Sequence, residues 1–357
     1  MVFYYSIFKI LLRRELTMIN EWNVLRTIAC LSIVFLHSTT MIGSPDVAYF
    51  DLFRALLCFA TPTFVVLSEI ILANRYPDKL PNGFWAKRFK WIYLPFLSFA
   101  IIDALVARDF YPNLIISQKI IENAVFGLFG GYFVLIIFQF YFLHYLVVRF
   151  NINMKLLFPV SVVIMFAHLY LLNTNIPFVV EYKRYLIMPF TAWFAYFTTA
   201  FIIGKNYKKV ASFLLKYRWF TIIPVVVSLA LVFFFYNEGN IAVNSRRLDL
   251  FPFVISASLF ILAWGQKLPN IRFVNMISNC SFGIYLVHWQ VLKYLGPIVS
   301  ELFPSKSLNI LTLFAITLII SITIIKLISL LPKGSYIVGN INRRRKKVVS
   351  VQTAEAA

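Results

Sequence analysis

The sequence predicts an all-α protein that crosses a membrane about ten times, with both termini in the cytoplasm. Hydrophobic residues make up 61% of the 357 positions and charged residues only 13%, whereas soluble domains are about 45–50% apolar and about 25% charged. Apolar stretches long enough to span a bilayer recur along the whole chain, and basic residues concentrate in alternate loops. Together these observations exclude an ordinary soluble enzyme, a disulfide-stabilised scaffold and a disordered chain.

Ten segments approach the roughly 20 mostly apolar residues that a spanning helix needs. The connections between them are too short for a separate soluble domain. The predicted spans are residues 22–42, 49–73, 91–107, 132–149, 156–173, 185–204, 219–236, 248–265, 281–300 and 307–331.

The placement of Lys and Arg predicts the orientation of these spans. With the amino terminus inside, 23 of the 34 basic residues fall on the cytoplasmic side and 7 on the other, which is the positive-inside bias of membrane proteins. Residues 19–332 are then the membrane domain. Residues 1–18 are an amphipathic extension, or precede a true start at Met18. Residues 333–357 are a basic cytoplasmic tail, whose basic run at 343–347 faces the anionic inner leaflet.

The net charge of +20 does not indicate a nucleic-acid-binding protein. The basic residues flank apolar segments, and the sequence has no Gly-rich phosphate loop, zinc-ligand spacing or aromatic RNA-binding motif. Cys30, Cys58 and Cys280 lie far apart within apolar runs, so they are interpreted as small core residues. No metal site and no permanently bound cofactor are predicted.

Two ionisable residues in the first predicted span form the main candidate site. Arg26 and His37 are 11 residues apart, which places them about 20° from a common helix face and about 16 Å apart along the axis. Charged residues inside a span are costly and usually functional. Arg26 could hold a phosphate and His37 could remove a proton from a hydroxyl. The alternative is an arginine that reaches the interface and a histidine bonded to a neighbouring helix.

Other polar residues are further candidates for the same site. Tyr285 and His288 follow Ser281 along one face of the ninth span and could line the same cavity or bond another helix. Glu69 lies toward the inner end of the second span, where it could pair with a loop lysine or act in the site. His144 and His168 are more typical of packing histidines.

The loop between the second and third spans groups basic and aromatic side chains. Lys87, Arg88 and Lys90 lie among Trp85 and Trp91. Such a group is typical of a membrane-interface anchor, and it could also collect an anionic donor from the cytosol.

Several of these motifs, in this order, resemble those of the acyltransferase 3 family of membrane acyltransferases. They are Arg26-x10-His37, the segment 61–68 (TPTFVVLS), Gly131-Tyr132-Phe133 followed by Gln139, and the segment 281–289 (SFGIYLVHW). The Arg88-x-Lys90-x-Ile92-x-x-Pro95 arrangement resembles in particular the intercellular adhesion C branch of poly-N-acetylglucosamine operons. The sequence departs from many members at Glu69, Trp91 and Gln290, where glycine, a second arginine and proline are common.

The resemblance implies a bacterial plasma-membrane enzyme that transfers an acyl group, acetyl or succinyl, from cytosolic acyl-CoA to a cell-surface polysaccharide or a lipid-linked precursor. It implies Arg26 and His37 as the acyl-transfer pair, and Arg88 as part of the donor loop. A polysaccharide synthase is a candidate partner beside the surrounding lipids. The alternative is an exporter of a poly-N-acetylglucosamine-type polymer, in which the same polar residues would line a sugar passage.

Overall fold

The computed structural model describes residues 19–341, and every regular element in that range is helical. Short π-helical and 3₁₀ turns connect some of the helices. The α-helices are α1 (Asn20–Ile42), α2 (Phe50–Leu57), α3 (Ala60–Arg75), α4 (Phe84–Arg88), α5 (Leu94–Phe110), α6 (Ile116–Phe126), α7 (Phe133–Arg149), α8 (Met154–Leu171), α9 (Pro177–Leu186), α10 (Phe194–Lys205), α11 (Tyr207–Lys216), α12 (Ile222–Asn237), α13 (Leu250–Gly265), α14 (Arg272–Ser300), α15 (Lys306–Leu330) and α16 (Ser335–Val338).

Six helical stretches in the described residues are long and apolar enough to cross a membrane, and a seventh is present if a pair bent by 73° counts as one span. Each of the ten predicted segments overlaps a helix. However, α7 and α13 have only 17 and 16 residues, or about 25 Å against a hydrocarbon core of about 30 Å. The count of ten spans is therefore not confirmed. The six stretches are Asn20–Ile42, Phe50–Arg75, Phe84–Phe110, Met154–Leu171, Arg218–Asn237 and Lys306–Leu330, and the bent pair is Pro177–Leu186 with Phe190–Lys205.

Two parts of the predicted domain organisation lie outside the described residues. These are the amphipathic extension at 1–18 and the basic run at 343–347. Within the predicted tail, residues 335–338 form α16, which packs against α5 and α15. This part of the tail belongs to the packed body.

The centre of the bundle is α1, which packs against α3, α13, α14 and α15. Its longest partner is α14, a helix of 29 residues. Residues of α1 with little or no exposed surface, such as Leu25, Ala29 and Val34, lie in the main apolar core. Polar residues of α1 and α14 are therefore held between other helices.

Small residues allow the helices to approach closely, as in many membrane bundles. Gly204 of α10 faces the Ile70 carbonyl and Ala73 of α3, and a Cβ atom at this glycine would lie 2.5 Å from that carbonyl oxygen. Gly265 of α13 packs in the same way on Glu21 and Val24 of α1. These contacts fix α10 beside α3 and α13 beside α1.

The outer surface of the bundle is apolar. Along α8 the buried residues are Ser161, Met165 and Leu169, one face of the helix, while side chains such as Val163 are 68% exposed. On α12, Val227 is likewise 63% exposed. Exposed apolar surface of this extent is expected where a protein contacts lipid.

Candidate functional site

His37 lies at the contact between α1 and α14. Its ring centre is 5.3 Å from that of His288 and 4.9 Å from that of Trp289, with the indole approached edge to face. The side chain therefore points toward α14 and not toward lipid. The orientation expected from the spacing on α1 is found in the structure.

The two histidines differ in their hydrogen bonds. Nδ1 of His288 is 2.9 Å from the carbonyl oxygen of Ile284, to which a protonated Nδ1 donates. Its Nε2 is then an acceptor, and it is buried without a partner among residues 19–341. In the same range neither ring nitrogen of His37 has a hydrogen-bond partner, and the His37 side chain keeps some accessible surface. His37 therefore differs from His288 in having both ring nitrogens without a partner in this range and in keeping some accessible surface.

Tyr285 extends this group by one helical turn of α14. Its ring is 5.7 Å from that of His288 and 4.0 Å from that of Phe133, and its hydroxyl is 3.3 Å from the hydroxyl of Thr61. The ninth predicted span thus brings both Tyr285 and His288 next to His37, as the sequence suggested. Thr61 and Phe133 lie in two of the segments that resemble the acyltransferase 3 family.

Arg26 lies on the same side of α1, toward its amino-terminal end. Its Nη1 donates to the hydroxyl of Ser278 on α14 at 3.3 Å, and that hydroxyl donates to Oδ1 of Asn23 at 2.9 Å. The Asn23 amide in turn donates to Asn275 at 3.0 Å. This polar network at the start of α1 and α14 holds the guanidinium against the helix that carries His288.

The surface between Arg26 and His37 is closed. Cys30 and Ile33 lie on the intervening turns of the same helix face, and only 0% and 2% of their surface is exposed. On α14 the corresponding positions, Ser281 and Tyr285, are 3% exposed. Within residues 19–341 no open path therefore joins the two ends of the site, because apolar and small side chains fill the α1–α14 contact.

The basic loop between α3 and α5 lies near the Arg26 end. The guanidinium carbon of Arg88 is 4.9 Å from the ring centre of Phe84 and 5.0 Å from that of Tyr141. The amine of Lys90 lies 5.0 Å from the Trp91 ring and 5.1 Å from the Tyr336 ring. Cation–π contacts of this kind orient a cation without neutralising its charge.

A short carboxy-terminal segment joins this loop to α14. Gly339 follows α16 with φ +83°, and a Cβ atom built there would lie 2.8 Å from the Phe282 ring and 3.9 Å from the Trp91 carbonyl oxygen. Phe282 is one helical turn beyond Ser278, the partner of Arg26. The loop, the Arg26 network and the segment after α15 therefore meet at one end of the bundle. Lys87 is exposed at the surface of the same loop.

Glu69 lies outside this group. Its Oε1 is 2.7 Å from Nδ1 of His144, the second ring nitrogen of His144 is 3.0 Å from the carbonyl oxygen of Tyr76, and neither side chain of the pair has exposed surface. Of the two alternatives given for Glu69, a loop lysine or a role in the site, neither is seen, because the fold places a histidine of α7 against it. The pair holds α3 against α7, which carries Tyr141 beneath Arg88.

Several residues of the site were missed in the sequence. Ser278 and Asn23 were not singled out, although Asn23 precedes Arg26 by three residues and therefore shares its helix face. Trp289 lies in the segment 281–289 that resembles the family, but nothing in its spacing predicts a role for it. Asp103 of α5 and Lys293 of α14 form an ion pair at 3.3 Å. No spacing rule connects positions 190 residues apart.

Comparison with known proteins gives relatives of two descriptions. A Bacillus subtilis (strain 168) protein named "Putative membrane-bound acyltransferase YfiQ" is 32% identical over 360 residues, covering 95% of this chain and 99% of its own. A Staphylococcus aureus (strain Mu50) protein named "Probable poly-beta-1,6-N-acetyl-D-glucosamine export protein" is 28% identical, covering 77% of this chain and 83% of its own. A Staphylococcus epidermidis protein with the same name is also 28% identical.

No solved structure matches the chain. The acyltransferase 3 profile, described as an acyltransferase domain, matches residues 19–328. That range includes α1, α14 and all the site residues described above except those after α15. The apolar helices and the relatives agree that this is a bacterial multi-pass membrane protein. The chain belongs to the acyltransferase 3 family.

Proposed function

We propose that this protein is a membrane O-acyltransferase that moves an acyl group, acetyl or succinyl, from acyl-CoA to a hydroxyl of a cell-surface polysaccharide or its lipid-linked precursor. Membership of the acyltransferase 3 family supports the reaction class. The relatives named for poly-N-acetylglucosamine export support a polysaccharide acceptor. Acyl-CoA is a consumed donor here, and the proposal includes no resident cofactor.

The observation that carries the proposal is the position of His37. It is an internal imidazole whose ring nitrogens have no hydrogen-bond partner in residues 19–341, and it lies against His288 and Trp289. As general base, it takes the proton of the acceptor hydroxyl while the oxygen attacks the thioester carbonyl. The carbon–sulfur bond then breaks, and the thiolate of coenzyme A takes the proton from the imidazolium. The alternative is transfer through an intermediate derived from the donor.

The other end of the site supports binding of the donor. Arg26, Arg88 and Lys90 gather at one end of the bundle, which the sequence predicts to be cytoplasmic. Guanidinium groups suit phosphate recognition because of their fixed charge and planar geometry. The rise of about 16 Å from Arg26 to His37 then separates phosphate binding from acyl transfer. Because Cys30 and Ile33 close this path, donor binding must move α1 relative to α14 or displace their side chains.

An export role is the second candidate. The staphylococcal relatives carry that description in their names, and a polar route past His37 and Tyr285 would serve a sugar chain as well as an acceptor. The closed contact around Cys30 is less easily reconciled with passage of a polymer than with a buried transfer site.

A deletion strain separates these functions. The polymer should be collected from cells and from medium, and its amount and acyl content measured by mass spectrometry and NMR. The strain should be complemented with wild-type protein or with His37→Ala. A matched control is His168→Gln, because His168 lies away from this site and bonds Thr191 and Leu186.

The acyltransferase account predicts exported polymer that has lost its acyl groups in the deletion strain and in the His37→Ala strain. Acyl groups return with wild-type protein and with His168→Gln. Polymer that accumulates inside the deletion strain supports the exporter. Full acylation of the polymer with a correctly inserted His37→Ala protein contradicts the role of His37.

A further inference from the structure

A second site lies away from α1 and α14. A cavity of about 680 Å³ is formed where α3, α7 and α10 end and α8 begins. These helix ends lie at the side that the sequence predicts to be cytoplasmic. None of the residues lining the cavity comes from α1 or α14. Those that matter here are Asp78, Val148, Lys155, Phe158, Phe201 and Lys205.

The lining of this cavity is divided by polarity. Val148 and Phe201, the latter 2% exposed, form an apolar part against the bundle. Lys155 and Lys205 lie at the exposed rim. A ligand that fills such a cavity needs an apolar body and an anionic end.

The charges at the rim favour an anion. Among residues 19–341 the Lys155 ammonium has no hydrogen bond or ion pair, and the backbone N–H of Lys155 donates to Oδ1 of Asn153. Lys205 pairs with Asp78 at 3.3 Å, but their side chains are 43% and 80% exposed. Exposed ion pairs of this kind are weak. The rim therefore carries one unpaired cation, Lys155, and a second, Lys205, which can exchange its weak pairing with Asp78 for a bound anion.

The surroundings of the cavity favour a lipid. Phe158 lines the cavity and is 36% exposed. On the opposite face of α8, Val160 is 50% and Val163 68% exposed, so this helix lies at the apolar outer surface of the bundle. A water-soluble anion in the cavity would leave the exposed part of the Phe158 ring uncovered, whereas the acyl chains of a lipid at this surface cover it.

We propose that this cavity binds an anionic glycerophospholipid of the surrounding leaflet. Its phosphate lies between Lys155 and Lys205, and its glycerol and first methylenes fill the part near Val148 and Phe201. Basic pockets between helices at a membrane surface are suited to anionic headgroups. The site is distinct from the acyl-transfer site, and the proposal does not depend on the transferase activity.

The test uses the purified full-length protein in a neutral detergent. Phosphatidylglycerol or phosphatidylcholine is added, and bound lipid is counted by native mass spectrometry while the unfolding temperature is measured. The double variant Lys155→Ala/Lys205→Ala removes both rim cations. A matched control is Lys208→Ala/Lys209→Ala, because these lysines are exposed on neighbouring α11 and do not line the cavity.

Phosphatidylglycerol should bind and raise the unfolding temperature of the wild type and of the control, and phosphatidylcholine should do so much less. Affinity for phosphatidylglycerol should fall about tenfold or more in the double variant. Asp78 pairs with Lys205 and so competes with a bound phosphate for this lysine. Replacement Asp78→Asn should therefore tighten binding of phosphatidylglycerol several-fold. This variant tests the proposal even if the double variant folds poorly.

Four results overturn the proposal. They are equal binding of both lipids, unchanged phosphatidylglycerol binding in the double variant, the same stabilisation by glycerol phosphate alone, and displacement of the lipid by coenzyme A. The last result would assign the cavity to the donor and not to a lipid.

Discussion

At the scale of single residues, the sequence predicted the direction of side chains better than the space around them. An 11-residue spacing places Arg26 and His37 on one face of a helix, and the structure points both toward α14. The packing of Cys30 and Ile33 between them depends on distant helices, which no local spacing describes. The partner of Glu69 was missed for the same reason, since His144 is 75 residues away.

The first prediction concerns the anchoring of Arg26. Replacement Arg26→Ala should raise the KM for acyl-CoA about tenfold or more and change kcat little, because a charged hydrogen-bonding group contributes about 1.5–3 kcal/mol. Ser278→Ala keeps the guanidinium and removes one partner, so its effect on KM should be smaller. Steady-state kinetics of purified variants measure both values. A large loss of kcat with unchanged KM in Arg26→Ala would contradict the binding role.

At the scale of elements, the structure adds a connection that the sequence did not suggest. Residues 333–341 were expected to be tail, yet α16 and Gly339 join the basic loop to α14. The periodicity of α14 predicted its polar face correctly. A four-residue helix such as α16 has too few residues to show any periodicity.

The second prediction tests this connection with two glycines that both have positive φ. Replacement Gly339→Ala puts a Cβ atom on a left-handed backbone, which costs about 1–2 kcal/mol. The added Cβ atom would also lie 2.8 Å from the Phe282 ring. Replacement Gly239→Ala, at φ +94°, has the same backbone strain, but no atom lies within 4 Å of the added Cβ atom. Thermal unfolding in detergent should show a greater loss of stability for Gly339→Ala. Equal losses would mean that the segment after α15 is loosely packed.

At the scale of the whole molecule, composition was sufficient for an all-helical membrane protein but not for the number of spans. The shortness of α7 and α13 and the polar residues of α14 leave these three helices outside the set that is long and apolar enough to cross a membrane. The mean hydropathy of a segment averages the residues on all faces of the helix. A buried helix with one polar face therefore scores as less apolar than a helix that lipid surrounds.

The third prediction tests the ten-span topology. Asn82→Cys, in the loop after α3, should react with membrane-impermeant maleimide only from the cytoplasmic side, and Asn113→Cys, after α5, only from the outside. Ile152→Cys decides the matter, because it lies inside only if α7 crosses the membrane. The native cysteines are buried and provide an unlabelled background. Labelling of Ile152→Cys from the outside would exclude the ten-span topology.

The central claim is that His37 transfers the proton during acyl transfer, and the most direct test is the rate of coenzyme A release by the purified protein with a saccharide acceptor. General bases contribute roughly 10²–10⁴-fold to a rate, so His37→Ala should lower kcat by about that factor while the KM for acyl-CoA changes little. His168→Gln should retain the wild-type rate. A folded His37→Ala protein that transfers acyl groups at the wild-type rate would contradict the account.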